Sequence, residues 1–489
     1  MHLDADTRET LNIRARRSGL TMDQVWMSSV VLVAVGVALA SRMLVVDLAY
    51  HIRLGNSILS GGGLPHVDTF TFSAAGRAWV DQQWGAQVVL AAAFRNGGWA
   101  GVAFLHACLI GVTFWLLSAA CRKRGASPRV SATLALCGLT VCFLNMGMRP
   151  QTFAYPLFAA SLFLVADRRT HPSRFWLLPV IAGVWANMHG SFVLAPVLVG
   201  LASIEDLHDR VPRSATTLKI GAATLLATLA NPFGVGAWRY ALSISTNSRI
   251  VGQFQEWEAT SLRTFAGALF FVSAIAIAGY LSRRKDPVDR ATLIWLGTFF
   301  LLGLSALRGV VWWGLVFPFV VAGLVRNERK GGTSSDRRGS SMLNAVMLVA
   351  VIGFAAVQLP WWRDQVDPTT GASRLVGIAP QHLVDATRRS VPPNARLFVT
   401  QGFASWFEFA LPSHPVFVDS RIELFPDRVW DDYLRVMSGS DGWQEILDRW
   451  RVDSVVLGRE DRAILQLITG DSGWRLAYRD AQGALFIRA

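Results

Sequence analysis

Several ionisable and amide side chains lie beside long apolar runs of this sequence, where their burial would be costly. Asp47 and His51 are four positions apart, about one turn of a helix, just after the first apolar run. Others occur near the ends of later runs: Arg149, Gln151, Asn187, His189, Glu256 and Arg308. Because polar groups at membrane depth cost free energy, each of these is a candidate functional residue.

This combination of residue types suits transfer of a group from a phosphate to a hydroxyl. A carboxylate such as Asp47 can accept the proton of an attacking hydroxyl. Arginines such as Arg149 and Arg308 can bind the departing phosphate through charge-assisted hydrogen bonds. Structural interpretations stay open: Asp47 as a loop carboxylate, the arginines as side chains that reach the membrane interface, and His189 as a turn residue. These residues all lie at ends of apolar runs that fall on the same side of the expected membrane, and this one-sided grouping favours the functional interpretation.

The elements that position these residues are apolar runs. Only 17% of the 489 residues are charged and 52% are apolar, with a mean hydropathy of +0.35. A soluble domain carries about 25% charged residues, so the composition excludes a soluble globular enzyme. Runs close to the ~20 residues needed to cross a bilayer predict about eleven membrane spans. They cover residues 25–44, 99–119, 128–147, 152–166, 175–186, 192–203, 215–230, 265–281, 291–307, 310–325 and 342–359.

The formal charge of +13 orients the chain. Arginine and lysine are much more frequent in one set of alternate loops than in the loops between them. Every lysine lies in this basic set, at Lys123, Lys219, Lys285 and Lys330. The positive-inside rule predicts that residues 1–24 and a linker at 326–341 are cytoplasmic. An odd number of spans then places residues after 359 outside a bacterial plasma membrane. Since the basic residues are spread over many loops, nucleic-acid binding is not expected.

Three regions follow from this pattern: a cytoplasmic segment (1–24), a transmembrane domain (25–359) and an extracytoplasmic α/β domain (360–489). The first outer loop (45–98) contains a short apolar run at 84–94, which predicts an interfacial or re-entrant helix. In the last region, short β-type runs predict strands at 396–400, 416–419, 454–457, 475–478 and 484–487. Helices are predicted at 427–437, 443–450 and 461–468.

This organisation resembles the GT-C superfamily of polytopic membrane glycosyltransferases, which includes protein mannosyltransferases, aminoarabinose transferases and oligosaccharyltransferases. The likeness covers nearly the whole chain and includes the acidic residue just after the first span, in VVDLAYH at 45–51. The segments RPQ at 149–151, WANMHG at 185–190 and VFVDSR at 416–421 look most similar to a bacterial branch of GT-C-like membrane proteins. An Asp-Glu pair at the first site and the WWDYG motif of oligosaccharyltransferases are both missing, so glycosylation of a peptide sequon is not expected.

The resemblance implies a polyprenyl-phosphate sugar donor, an outer glycan, lipid or protein acceptor, and inversion at the anomeric carbon. Asp47 matches the acidic residue of the first loop and is expected to be the catalytic base, while His51 or Asp68 orients the acceptor or helps to hold a metal. The residues expected to bind substrate are Arg149, Gln151, Asn187, His189, Glu256 and Arg308. No cofactor is required; Mg²⁺ or Mn²⁺ is compatible with the mechanism, but the carboxylates are too scattered to predict a metal site.

Two other classes of function use the same features. A transporter or flippase of lipid-linked sugars would use an outward cavity without a base, although the sequence shows no convincing internal repeat. A non-enzymatic protein of cell-envelope assembly would use the outer domain to bind a partner. Convergence of Asp47, Arg149, His189 and Arg308 within about 10 Å of one another would favour the enzyme.

Overall fold

The computed structural model describes residues 20–212, 214–246, 256–325 and 341–489, and the fold within them is mainly helical. The helices of the apolar part are α1 (Met22–Ala40), α2 (Val45–Ser57), α3 (Trp84–Lys123), α4 (Pro128–Cys142), α5 (Gln151–Asp167), α6 (Leu177–Ala186), α7 (Leu194–His208), α8 (Ser214–Ala227), α9 (Val235–Thr246), α10 (Phe265–Ser282), α11 (Arg290–Ser305), α12 (Val310–Val325) and α13 (Ser341–Val357). Every run predicted as a span coincides with one of these helices.

Six described helical segments are long and apolar enough to cross a membrane. They are Met22–Ala40, Trp84–Lys123, Pro128–Asn145, Gly190–His208, Phe265–Ser282 and Leu307–Val325. Shorter apolar helices accompany them at Arg174–Ala186, Arg290–Ser305 and Met342–Val357. The expectation of a mainly helical protein with several helices long and apolar enough to span a membrane is therefore confirmed. The cytoplasmic segment predicted at 1–24 lies mostly outside the described residues, as does the linker predicted at 326–341.

Helix α3 is broken near its middle. Gly98 has φ 55° and ψ −149°, a backbone conformation that glycine adopts far more readily than other residues. The break separates the apolar run that begins at Trp84 from the longer run that ends at Lys123. The sequence prediction of a short helix followed by a span agrees with this division.

The C-terminal α/β region, residues 381–489, contains a four-stranded sheet. Its helices are α14 (Gln381–Ser390), α15 (Gln401–Ala410), α16 (Asp427–Met437), α17 (Trp443–Arg449) and α18 (Arg462–Thr469). Its strands are β1 (Leu397–Val399), β2 (Ser454–Gly458), β3 (Trp474–Arg479) and β4 (Gly483–Arg488). The strand order is β1-β2-β4-β3, with β1 parallel to β2 and the other two pairs antiparallel.

The strand predicted at 416–419 does not form. Val416 makes only isolated bridges, to Leu397 and to Thr71. The chain then turns, because the Asp419 carboxylate accepts the backbone N–H of Arg421 at 2.7 Å. A side chain that binds backbone two residues on favours a turn over an extended strand.

The α/β region packs directly onto helix α2. The Ser405 hydroxyl, on α15, accepts the backbone N–H of Tyr50 at 2.9 Å, and Arg53 donates to the carbonyl of Glu408 at 3.0 Å. Apolar residues of α2 and α15, such as Ile52 and Phe407, belong to one buried cluster. The helix that carries Asp47 is therefore held between the apolar helices and the sheet-containing region.

Candidate functional site

Arg149 and Arg308 meet at one glutamate. Nη1 of Arg149 lies 2.6 Å from Oε2 of Glu256, and Nε of Arg308 lies 3.1 Å from the same oxygen. The Arg308 guanidinium also lies over the ring of Trp257, 4.7 Å from its centroid. The arginine side chains are 13% and 24% exposed and that of Glu256 is 47% exposed, so the carboxylate lies on the more open side of the pair.

Backbone contacts hold both arginines just before a helix. Arg149 precedes α5, and its N–H donates to the hydroxyl of Thr152 at 3.2 Å. Arg308 lies in the short turn Leu307–Gly309 before α12, and its N–H donates to the carbonyl of Glu256 at 3.1 Å. The same glutamate thus contacts Arg308 through both its backbone and its side chain.

Asp47 lies in the first turn of α2, half-buried and within electrostatic reach of these charges. Burial raises the pKa of its carboxyl above the ordinary value, and the negative charge of Glu256 raises it further. Arg308 and Arg149 act in the opposite direction but do not reverse the shift. Asp47 therefore holds a proton more readily than an ordinary aspartate, which suits a group that accepts one during a reaction.

Two helix N-termini lie beside Glu256, because Arg149 and Arg308, which contact it, lie just before the first turns of α5 and α12. Asp47, in the first turn of α2, is within electrostatic reach of the same charges. A helix N-terminus carries a partial positive charge and unpaired N–H groups. Together with two guanidinium groups and one glutamate, these ends favour an anion. Phosphate is the anion that such an arrangement commonly binds.

His189 adds a neutral imidazole to this neighbourhood. Its Nδ1 accepts the backbone N–H of Ser191 at 3.1 Å, so the neutral ring carries its hydrogen on Nε2. Burial lowers the pKa of His189 well below the ordinary value, and the charges of Arg308 and Arg149 lower it further. We call Asp47, Arg149, His189, Glu256 and Arg308 the arginine–glutamate site.

No family model matches this chain, and no curated protein matches it either. The chemistry of the arginine–glutamate site therefore rests on its own geometry.

His51 lies one turn beyond Asp47 on α2 and is 3% exposed. Its Nδ1 is 3.1 Å from Nε2 of Gln87, and that nitrogen also donates to Oδ1 of Asp81 at 2.7 Å. Burial lowers the pKa of His51 to about 3 and raises the pKa of Asp81 to about 7. The structure thus places His51 in a buried hydrogen-bonded chain, as a neutral ring.

Asp81, Gln82 and Gln87 were not singled out from the sequence. They are 2%, 5% and 0% exposed, respectively. A signal was present, because an acid and two amides at 81–83 directly precede the short apolar helix that begins at Trp84. Polar residues at the start of an apolar run are common enough that this signal alone predicts little.

Asp68 lies in a different cluster from Asp47. Its carboxylate accepts the backbone N–H groups of Phe70 and Thr71 at 3.2 and 3.1 Å, and pairs with Nη2 of Arg421 at 2.6 Å. Arg421 also donates from Nε to Asp419 at 2.9 Å, and both carboxylates are buried. The structure therefore places Asp68 at the junction between the loop that joins α2 to α3 and the α/β region, where it forms an ion pair with Arg421.

Ser420 links the two clusters. It lies between Asp419 and Arg421, and its hydroxyl donates to the carbonyl of Val46 at 3.0 Å. Val46 is in the same helical turn as Asp47. The α/β region thus contacts the arginine–glutamate site directly.

The remaining predicted residues have different surroundings. The side chain of Asn187 accepts from Trp84 at 2.9 Å and donates to the carbonyls of Gly183 and Ala230, both at 2.8 Å. It holds the start of α3 against the turn between α6 and α7. Gln151 is 3% exposed, and its Oε1 has no hydrogen-bond partner among the described residues.

Within the described ranges, no group of three or more His, Cys, Asp or Glu side chains is placed to hold a metal ion. Among the described residues, the charges that act on Asp47 most strongly are those of one carboxylate, Glu256, and two guanidinium groups, Arg308 and Arg149. Because guanidinium groups repel cations, this donor set fits Mg²⁺ or Mn²⁺ poorly. It fits an anion whose charge the arginines neutralise.

Proposed function

We propose that this chain is a membrane glycosyltransferase that moves a sugar from a polyprenyl-phosphate carrier to an extracytoplasmic acceptor, with inversion at the anomeric carbon. The observation that supports this most is the sharing of Glu256 by Arg149 and Arg308 beside Asp47. A cation pair, a proton acceptor and the neutral donor His189 lie together at the ends of apolar helices. These groups suit transfer from a lipid-linked sugar phosphate, because they can neutralise the phosphate and accept the proton of the attacking hydroxyl.

Each group has a role in the proposed reaction. The oxygen of an acceptor hydroxyl attacks the anomeric carbon while the bond from that carbon to the phosphate oxygen breaks. The bonding electron pair leaves with the phosphate, whose charge Arg149 and Arg308 stabilise, with a hydrogen bond from Nε2 of His189. The hydroxyl proton passes to the carboxylate of Asp47. Because Glu256 is on the open side of the arginines, an arriving phosphate replaces its carboxylate.

The proposal includes a topology of about eleven spans in a bacterial plasma membrane, with the N-terminus in the cytoplasm and the α/β region outside. The alternation of arginine-rich and arginine-poor loops supports it. In a cysteine-free background, an impermeant maleimide should label Asp441→Cys in intact cells. It should label Lys285→Cys only after permeabilisation. The opposite pattern would reverse the topology.

Transfer can be measured with purified protein in lipid nanodiscs. The donors are undecaprenyl-phosphate glucose, mannose, galactose and N-acetylglucosamine, and the acceptor is an envelope extract. We expect one donor to release undecaprenyl phosphate and label the extract. Asp47→Asn should reduce that rate at least about 100-fold, the contribution of a general base. Arg149→Gln should also reduce it, through weaker phosphate binding.

Matched variants outside the site serve as controls. Asp441→Asn and Arg459→Gln alter exposed side chains and should leave the rate unchanged. Movement of the intact donor across the bilayer without release of undecaprenyl phosphate would favour a flippase instead. Full transfer by Asp47→Asn would exclude Asp47 as the base, and absence of both binding and movement would favour an assembly protein.

A further inference from the structure

Three buried hydrogen-bond acceptors in the first outer loop have no partner among the described residues. They are Oδ2 of Asp81, Oε1 of Gln82 and Oε1 of Gln87, on residues that are 2%, 5% and 0% exposed. A buried acceptor without a donor costs free energy, and native proteins leave few of them. Three within seven positions of the chain indicate a ligand that supplies hydrogen-bond donors.

Two of these side chains and His51 are joined to each other. Nε2 of Gln87 donates to Oδ1 of Asp81 at 2.7 Å and lies 3.1 Å from Nδ1 of His51. Both amide hydrogens of Gln87 are used in these contacts, so Oε1 is left for another donor. Since Nδ1 of His51 accepts, its Nε2 carries hydrogen and can donate. The hydrogen-bonded group of Asp81, Gln87 and His51 therefore offers a ligand two acceptors, Oδ2 of Asp81 and Oε1 of Gln87, and one donor, Nε2 of His51.

The group lies next to the arginine–glutamate site. The amide of Gln82 packs against Gly190, where a Cβ would lie 2.6 Å from Nε2 of Gln82, and Gly190 follows His189. His51 is close enough to His189 to affect its protonation. The backbone N–H of Gly85 also donates to the carbonyl of Asn187 at 3.0 Å, which fixes the loop against this turn.

We propose that Asp81, Gln82, Gln87 and His51 form the subsite for the sugar ring of the lipid-linked donor, whose hydroxyl groups donate to the three unpartnered acceptors. This inference rests on the proposed function and adds the residues that recognise the sugar ring of the donor. A hydroxyl both donates and accepts, so a sugar ring can satisfy the acceptors and also receive the hydrogen of His51. Amide acceptors without full charge fit hydroxyls better than they fit a cation. Burial raises the pKa of Asp81 to about 7, so its Oδ2 accepts from a sugar hydroxyl when the carboxyl is ionised and donates to one when it is protonated.

The test compares ligands that differ only in the sugar. Dissociation constants are measured for the full-length protein in nanodiscs with undecaprenyl phosphate and with undecaprenyl-phosphate glucose, mannose, galactose and N-acetylglucosamine. We expect at least one sugar-bearing lipid to bind about tenfold or more tightly than undecaprenyl phosphate. Gln82→Leu removes one acceptor and should weaken that preferred lipid about tenfold, the size of one hydrogen bond. It should leave the affinity for undecaprenyl phosphate unchanged.

Asp81→Asn provides a second variant, because it keeps the shape of the side chain and replaces one acceptor by a donor. It too should weaken only the sugar-bearing lipid. The matched control Gln444→Leu changes an exposed glutamine and should change neither affinity.

The outcomes separate the two proposals. If all sugar-bearing lipids bind like undecaprenyl phosphate, the acceptors are satisfied by water and the sugar subsite is wrong, while the phosphate site stands. Equal weakening of both kinds of lipid by Gln82→Leu and Asp81→Asn would make these residues structural and would also overturn the subsite. If the wild-type protein binds neither undecaprenyl phosphate nor any of the sugar-bearing lipids, the proposed function itself fails.

Discussion

Glu256 contacts two arginines through one oxygen while 47% of its side chain stays exposed. A carboxylate between two guanidinium groups lowers the cost of holding them close together. Burial raises the pKa of Glu256, but Arg149 and Arg308 lower it by more, so the net shift is downward. Glu256 is therefore ionised near neutral pH and raises the pKa of Asp47.

Glu256→Gln should shift the pH dependence of transfer. Asp47 accepts a proton only when ionised, so the rate falls as the pH drops through its pKa. Loss of the Glu256 charge lowers that pKa, and the variant should stay active at lower pH than the wild type. Profiles of kcat/KM against pH measure this, with the exposed neighbour Glu258→Gln as the control. An unchanged or upward-shifted acid limb would contradict the coupling of Glu256 to Asp47.

Asp81 should make stability depend on pH. Burial raises its pKa from 3.8 to about 7, so between these values the folded chain binds more protons than the unfolded chain. The contribution of the protonated Asp81 carboxyl to the free energy of unfolding is fully present below about pH 4 and is lost as the pH rises to 7. The loss is at most on the order of 4 kcal/mol. Asp81→Asn should melt above the wild type at pH 8 and equally at pH 4. An equal difference at both pH values would show that the carboxyl does not titrate as inferred.

At the scale of elements, a close helix crossing positions Arg308. Gly138 of α4 faces Gly314 of α12, where a Cβ on Gly138 would collide with the carbonyl oxygen of Gly314. Small residues let membrane helices approach in this way. Because Arg308 immediately precedes α12, this crossing also sets the place of its guanidinium.

Gly138→Ala should force α4 and α12 apart. Overpacking of this kind costs about 1–3 kcal/mol, so the melting temperature should fall. Transfer should also weaken, because Arg308 moves with its helix. Gly297→Ala is the matched control, since nothing lies within 4 Å of a Cβ there. Equal melting temperatures of the two variants would show that the crossing tolerates a methyl group.

At the scale of the whole molecule, buried charges join the α/β region to the loop between α2 and α3. Arg421 is 3% exposed and pairs with Asp68 and Asp419, which are 1% and 0% exposed. Glu408 is fully buried nearby, and burial followed by the charge of Asp419 raises its pKa well above the ordinary value. One guanidinium thus holds together carboxyl groups from two distant parts of the chain.

Arg421→Met should leave Asp68 and Asp419 buried without their cation. Breaking a buried ion pair from one side costs about 3–5 kcal/mol. We expect a lower melting temperature and faster proteolysis of residues 381–489. The exposed pair Arg459–Glu460 provides the control, because Arg459→Met should cost almost nothing. Proteolysis at the wild-type rate would show that apolar contacts alone hold the region in place.

The sequence alone determined the mainly helical character, the apolar helices long enough to span a membrane and the positions of most elements. Apolar runs form helices wherever lipid leaves no other partner for the backbone, so each predicted span coincides with a described helix. Strands predicted at 454–457 and 484–487 fall within β2 and β4, because short β-branched and aromatic runs favour them. The run at 416–419 had the same composition, but a side-chain contact of Asp419 turned the chain instead.

Only the tertiary structure decided which polar groups meet. Glu256 is 107 positions from Arg149, and Arg421 is 353 positions from Asp68. The local sequence pattern shows that these charged side chains lie near helix ends, but which of them form pairs depends on how the helices pack. For the same reason the partner of Asp68 is Arg421 and not Asp47. The burial of Gln82 against Gly190, which leaves its Oε1 without a described partner, is likewise a result of the tertiary packing.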